Sequence, residues 1–147
     1  MKFQFNIWPT FRCAGIRIEH IADDWSSIDV RLKIGRLNKN YVGTAFGGSL
    51  SAMSDPFYMF LAMNLLGPNF IVWDKAGQIE FVKPGTGTIR GHYEFSEEDI
   101  AAIKAGTVSG EKFLRWFETD LVNEAGETVA HVRRQLYIRR KDSIKKR

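Results

Sequence analysis

The chain predicts an α+β fold, a curled antiparallel sheet of about six strands wrapped around one long central helix. Three observations predict it. Apolar and polar residues alternate with period two towards both ends of the 147-residue sequence, the mark of strands with one buried face. Between those regions, Ser49 to Leu66 is small or apolar nearly all round, and such a helix is buried on every side. At least four more strands follow it, enough for a sheet that curls over it.

The elements follow in order. Ile16, Ile18 and His20 alternate with Arg17 and Glu19, then Ile28, Val30, Leu32 and Ile34 with Asp29, Arg31 and Lys33. Asp23-Asp24 and Ser26-Ser27 supply the turn between these two strands. The pattern breaks at Asn38-Lys39-Asn40, and Tyr41 to Gly48 is a glycine-bearing approach to the helix, which Gly67-Pro68 stops. Ile71 to Val82 and Thr88 to Phe95 read as strands. Ser96 then caps a short helix through Ala105, with Glu97, Glu98 and Asp99 in its first turn. Glu111–Asn123 and Thr128–Arg139 form a hairpin across residues 124–127. No repeat or linker interrupts residues 1–138, a single domain, and residues 139–147 are a basic, flexible tail. One sheet leaves the far side of an apolar helix open, so a second copy is expected to close it as a homodimer or homotetramer.

Composition narrows the function classes. With 44% hydrophobic residues and 19 aromatics the chain is not a disordered one. Cys13 is the single cysteine, so an internal disulfide framework and a cysteine-built zinc site are excluded. His20, His92 and His131 lack ligand spacing, and no metal or cofactor is expected. No apolar run reaches the ~20 residues of a membrane span, and the start lacks the apolar core of a signal peptide. The expected setting is reduced and cytoplasmic, with no membrane partner. The formal charge of +4 suggests an anionic partner until it is located. The nine tail residues hold six bases and one acid, leaving 15 bases and 16 acids in the body, net −1. Nucleic-acid binding is therefore not expected.

The residue that does not belong is Asp55, among Leu50, Ala52, Met53, Phe57, Met59 and Phe60. A carboxylate in such surroundings is costly unless paired, hydrogen-bonded or protonated. It is either functional, or bonded to backbone, Ser51 or Ser54, or the N-cap of a new segment begun by Pro56. Gly47-Gly48 at the helix start offers unpaired N–H groups that another group can approach closely, as a developing oxyanion requires. Gly48 and Asp55 are ~10 Å apart along a straight helix at 1.5 Å per residue, too far to act on one atom. Asp55 therefore works with the helix start of another subunit or is unrelated to it.

The segment Asn40-Tyr41-Val42-Gly43-Thr44-Ala45-Phe46-Gly47-Gly48, followed by Asp55, resembles the Asn-x-x-Gly-Thr-x-His-Gly-Gly…Asp segment of hot-dog-fold acyl-CoA thioesterases of the phenylacetate and four-hydroxybenzoyl-CoA type. The spacings agree, six residues from Asn40 to Phe46 and nine from there to Asp55. With Ile-Glu-Phe-Val-Lys-Pro at 79–84, the chain looks most like an uncharacterised hot-dog domain family sometimes fused behind an acetyltransferase.

The resemblance implies hydrolysis of an acyl-CoA or acyl-carrier thioester to free acid and thiol. Asp55 would be base or nucleophile and the Gly47 N–H the oxyanion donor. Asn40 would position water or the carbonyl from the other subunit. Phe46, Gly48, Asp74 and Met59 would contact the substrate between the central helices of a dimer. In this sequence Phe46 stands where the family has histidine. Asp74 aligns with a serine or threonine of some relatives, and two close carboxylates would raise the pKa of one of them. The competing reading is a non-catalytic acyl-thioester-binding or scaffold domain. Hydration of acyl thioesters is disfavoured, since residues 40–55 contain no histidine.

Overall fold

A computed structural model describes residues 2–141, with side chains from residue 4 onward. In chain order the elements are α1 (Lys2–Ile7), α2 (Pro9–Ala14), β1 (Ile16–Ile21), β2 (Ser27–Lys33), α3 (Gly47–Ala52), α4 (Phe57–Leu66), β3 (Phe70–Phe81), β4 (Thr88–Glu94), α5 (Glu97–Gly106), β5 (Phe113–Val122) and β6 (Thr128–Arg140). The six strands form one antiparallel sheet in the order β1-β2-β4-β5-β6-β3. The α+β architecture of six curled strands over a central helical segment is the one the alternation predicts.

Alternation sets the buried face. Ile28, Val30 and Leu32 of β2, Ile89 and Tyr93 of β4, and Val132, Leu136 and Ile138 of β6 are buried together beneath the central segment. Phe57, Tyr58, Leu61 and Ala62 of α4 pack onto them. Two hydroxyls tie the layers. Tyr93 Oη donates to the Met53 carbonyl at 2.6 Å, and Tyr58 Oη to that of Glu118 at 2.6 Å. α5 carries the expected cap, a reciprocal box between Ser96 and Asp99.

Three features differ from the sequence expectation. The central segment spans Gly47 to Leu66 in two pieces, since α3 ends at Ala52, the Asp55–Pro56 peptide is cis, and α4 starts at Phe57. Two short helices precede β1, with Pro9 opening α2 and Gly15 closing it at φ 84°. They pack against α4, through Phe5 on Phe60 (ring centroids 4.5 Å apart) and Phe11 on Phe57 (5.7 Å). Finally, β6 runs through Arg140 and the Lys141 N–H donates to the Asn69 carbonyl, so the first tail residues continue the sheet. The rest of the tail, 142–147, lies outside the described residues. Cys13 is exposed.

The two sheet edges differ. At β1, Asn6 of α1 acts as a one-residue strand: its Nδ2 donates to the Ile18 carbonyl at 3.1 Å, and the Ile18 N–H donates to its Oδ1 at 2.8 Å. At the other edge β3 is 12 residues long, and among the described residues its outer side pairs with no strand. A long unpaired edge is a template for pairing with another chain.

β3 also carries a bulge. Asp74 pairs with Leu136 and Ala76 with Gln135, leaving Lys75 over. The extra residue shifts the side-chain phase. Phe70, Val72 and Asp74 share the inner face before it, and Gly77, Ile79 and Phe81 after it.

Candidate functional site

The inner face of β3 meets the central segment at two places. At its end, the Phe81 ring lies against Gly47, where a β-carbon would come within 3.2 Å of Cζ. Gly48 is covered likewise by the Phe46 ring, 2.3 Å from where its β-carbon would be. The Phe46 ring thus leaves no room for a side chain at Gly48, whereas at Gly47 the Phe81 ring would have to give by a few tenths of an ångström. Phe46 is the N-cap of α3 and offers no side-chain acceptor to the first-turn N–H groups. Those of Gly47 and Gly48 donate to no acceptor among the described residues. A cleft of about 380 Å³ opens here, lined by Asn40, Thr44, Gly47, Leu50, Phe81 and Lys83 among others.

Asn40 lines this cleft, but its amide is engaged within its own loop. Nδ2 donates to Thr44 Oγ1 (2.9 Å) and the Ala45 carbonyl (3.1 Å), and Oδ1 accepts from the Thr44 N–H (2.9 Å). The side chain thereby fixes the turn that delivers the chain to Gly47, with Gly43 at φ 90° inside it.

Near the middle of β3, Asp74 meets the break between α3 and α4. Asp55 lies in that break with its side chain 53% exposed, not in a sealed apolar interior. It sits in the interruption between α3 and α4, at the surface. Asp55 is neither bonded to Ser51 or Ser54 nor the N-cap of α4. Ser51 Oγ donates to the Gly47 carbonyl and Ser54 Oγ to the Ser51 carbonyl, while Pro56, not Asp55, is the N-cap of α4.

The buried partner of this region is Arg134 of β6, its side chain only 14% exposed. Nε donates to the Ser54 carbonyl (3.1 Å), and Nη2 to Ser54 Oγ (2.9 Å) and the Ser51 carbonyl (3.4 Å). Nη2 lies 3.7 Å from Asp55 Oδ2. Gly77 makes room for the guanidinium, since a β-carbon there would sit 2.6 Å from Nη1. Sequence reasoning missed Arg134, although it occupies an inward position between Val132 and Leu136, where an arginine breaks the apolar phase.

Asp74 is the anomaly of the cluster. Both carboxyl oxygens are buried and neither has a hydrogen-bond partner. Burial, then the neighbouring Asp55 charge, pushes its pKa up to about 6, with Arg134 opposing and bonding to Asp55 adding to the rise. Two ionised carboxylates have no hydrogen between them, so the pair is unbonded until one takes a proton.

Of the other expected site residues, Met59 is half-buried against the core on α4. Phe46, 56% exposed, borders the glycine turn. Within one chain these residues form two separate groups, the cleft lined by Asn40 and Gly47, with the Phe46 ring over Gly48 beside it, and the Asp55–Asp74–Arg134 cluster. Among the described residues no direct hydrogen bond joins them; Ser51 lies between, its Oγ donating to the Gly47 carbonyl and its own carbonyl accepting from Arg134.

A family model described as a domain of unknown function (DUF4442) matches residues 1–138, and the chain belongs to that family. No curated protein matches its sequence. The fold is the hot-dog fold, shared with solved structures of low sequence identity. PA5026 of Pseudomonas aeruginosa, a protein of unknown function, superposes with a TM-score of 0.81 at 20% identity over 95% of this chain and 93% of its own. The thioesterase HI1161 of Haemophilus influenzae gives 0.68 at 12% identity over 93% and 87%. The Escherichia coli PaaI protein, from the phenylacetic acid degradation operon, gives 0.64 at 15% over 94% and 88%. Among the described residues no helix is long and apolar enough to cross a membrane.

Proposed function

We propose that the protein is a thioester hydrolase whose site is completed by a second copy of the chain. Asp55 serves as base or nucleophile and the Gly47 N–H stabilises the oxyanion. The observation that carries this reading is the placing of the two groups on one face of β3, beside its unpaired edge. Asp74 and Phe81 are seven residues apart, roughly 23 Å at ~3.3 Å per residue. Two β3 edges pairing antiparallel about a point near Gly77–Gln78 would set Asp74 of one copy opposite Phe81 of the other. Asp55 of one copy would then approach Gly47 of its partner. The Asn6 cap on β1 leaves β3 as the edge for that pairing.

In this site the thioester carbonyl oxygen lies at the α3 N-terminus, against N–H groups that no side chain caps. Asp55 takes a proton from water, whose oxygen attacks the carbonyl carbon, or attacks that carbon itself. When the carbon–sulfur bond breaks, the thiolate leaves with the proton that Asp55 took from water. In the nucleophilic route an acyl–Asp55 anhydride remains, which water then hydrolyses to the free acid, its proton going to the thiolate. The Phe81 ring lines the cleft where the acyl group enters and the Phe46 ring covers the adjacent Gly48, which fits an apolar acyl chain or ring. Asn40 acts through the loop it holds, since its amide is already bonded. That same engagement favours the second reading, a thioester-binding domain without turnover.

Turnover separates the two. Short, long and aryl acyl-CoA substrates are assayed by free-thiol detection for the wild type and Asp55→Ala. The hydrolase reading predicts release on at least one substrate and a loss of about 10²–10⁴-fold in the variant. Acyl-CoA binding without release on any substrate would establish the second reading, and full activity of Asp55→Ala would remove the assigned role.

A further inference from the structure

We infer that Asp74 is a positioning residue that acts in its protonated form, donating its carboxyl O–H to Asp55 and fixing that carboxylate for attack. The inference rests on the role of Asp55 proposed above and adds the group that holds it.

The geometry leaves Asp74 few alternatives. It sits on the inner face of β3 immediately before the bulge, opposite the buried Leu136. Both oxygens are buried and unbonded. A buried carboxylate anion requires donors on both oxygens, whereas the neutral acid needs one acceptor for its single hydrogen. The one donor-rich side chain nearby, Arg134, is turned to Ser51 and Ser54 at the α3–α4 break. Asp55 supplies the missing acceptor, being half exposed and 3.7 Å from Arg134.

The charged groups acting on Asp74 are Asp55, from the break between α3 and α4, and Arg134, from β6. Asp55 and burial favour the proton on Asp74, and Arg134 opposes it. One proton therefore serves the pair, held by the buried partner, and the exposed partner keeps the charge. Asp55 is then held by Asp74, with Arg134 Nη2 3.7 Å from its Oδ2, and presents its exposed side to substrate. When Asp74 ionises, the anchor is replaced by like-charge repulsion and Asp55 loses its fixed orientation.

The first readout does not depend on hydrolysis. In the full-length protein with carboxyl-¹³C aspartate, one carboxyl signal should titrate near pH 6 and vanish in Asp74→Asn. If every aspartate titrates below about pH 5, in the ordinary carboxylate range, the inference is overturned. Asp55→Asn should move the Asp74 titration to lower pH by removing the neighbouring charge; an unmoved titration overturns it too. The second readout is the pH profile of kcat/KM, which should fall as pH rises through the Asp74 titration. Asp74→Asn supplies an N–H donor at every pH. It should lose that limb and retain roughly tenfold or more activity over Asp74→Val, which has no donor. A limb that persists in Asp74→Asn, or equal rates of the two variants, refutes the positioning role. If Asp55 instead has no hydrolytic role, Asp55→Ala keeps full activity while the wild-type protein still shows the Asp74 titration.

Discussion

Replacing Asp74 by Asn should change the pH dependence of stability with a defined sign. The carboxyl titrates at about 6 in the folded chain against 3.8 for the unpaired group. Its contribution is therefore fully present below 3.8, where both states are protonated, and is lost as pH rises through 6. At 1.36 kcal/mol per unit the ceiling is about 3 kcal/mol, and partial screening of this half-buried residue reduces it to roughly 1–2 kcal/mol. Asn is nearly isosteric and does not titrate. Urea unfolding at pH 4 and pH 7.5, at one protein concentration, measures both proteins. The difference in unfolding free energy, Asn variant minus wild type, should grow by roughly 1–2 kcal/mol between the two pH values. Comparing the two values cancels any fixed difference between amide and acid. A difference that stays constant, or shrinks towards neutral pH, would refute the claim that burial and Asp55 load Asp74 against ionisation.

Three other substitutions test the scaffold. Gly47→Pro removes the first N–H of α3 at a position where proline suits a helix start, with the Phe81 ring giving by a few tenths of an ångström. It should retain the fold by circular dichroism and reduce kcat by about 10²–10³-fold. Asn6→Ala uncaps the β1 edge and leaves the Ile18 groups unpaired, costing about 1–2 kcal/mol in urea unfolding and increasing self-association in sedimentation velocity. Tyr93→Phe leaves the Met53 carbonyl without its buried donor and should cost about 1–3 kcal/mol in the same unfolding assay.

Much of the fold was legible because period-two alternation reports burial directly. The runs at 28–34, 71–82 and 128–139 fall on β2, β3 and β6 within a residue at each end, and the Ser96–Asp99 cap appears where its residue types demanded it. The long apolar helix was legible in extent but not in continuity. The sequence allows a restart at Pro56, yet whether a proline kinks, caps or breaks a helix depends on the tertiary groups that receive the freed carbonyls. Those groups include Arg134, 80 residues along the chain from Ser54. The N-terminal helices left little periodic signal, each being six residues long.

At the site, the glycines and Asp55 stood out by residue type. Their separation along the helix was legible from spacing, but their placement along one face of β3 was not, because it depends on the bulge at Lys75, which brings Asp74 and Phe81 onto that face. Asp74 and Arg134 carried a readable signal, a charge at an inward strand position, and Gly77 opposite Arg134 marks the space that such a side chain needs.

The measurement that tests the central claim most directly is subunit complementation. Asp55→Ala and Gly47→Pro chains, each deficient alone, are unfolded, mixed in equal amounts and refolded, then assayed for thioester hydrolysis. If each site takes Asp55 from one copy and Gly47 from the other, a mixed dimer holds one intact site. Random pairing then restores about a quarter of the wild-type rate. A mixture no more active than the mean of the two variants, with mixed dimers shown to be present, would contradict a site shared between copies.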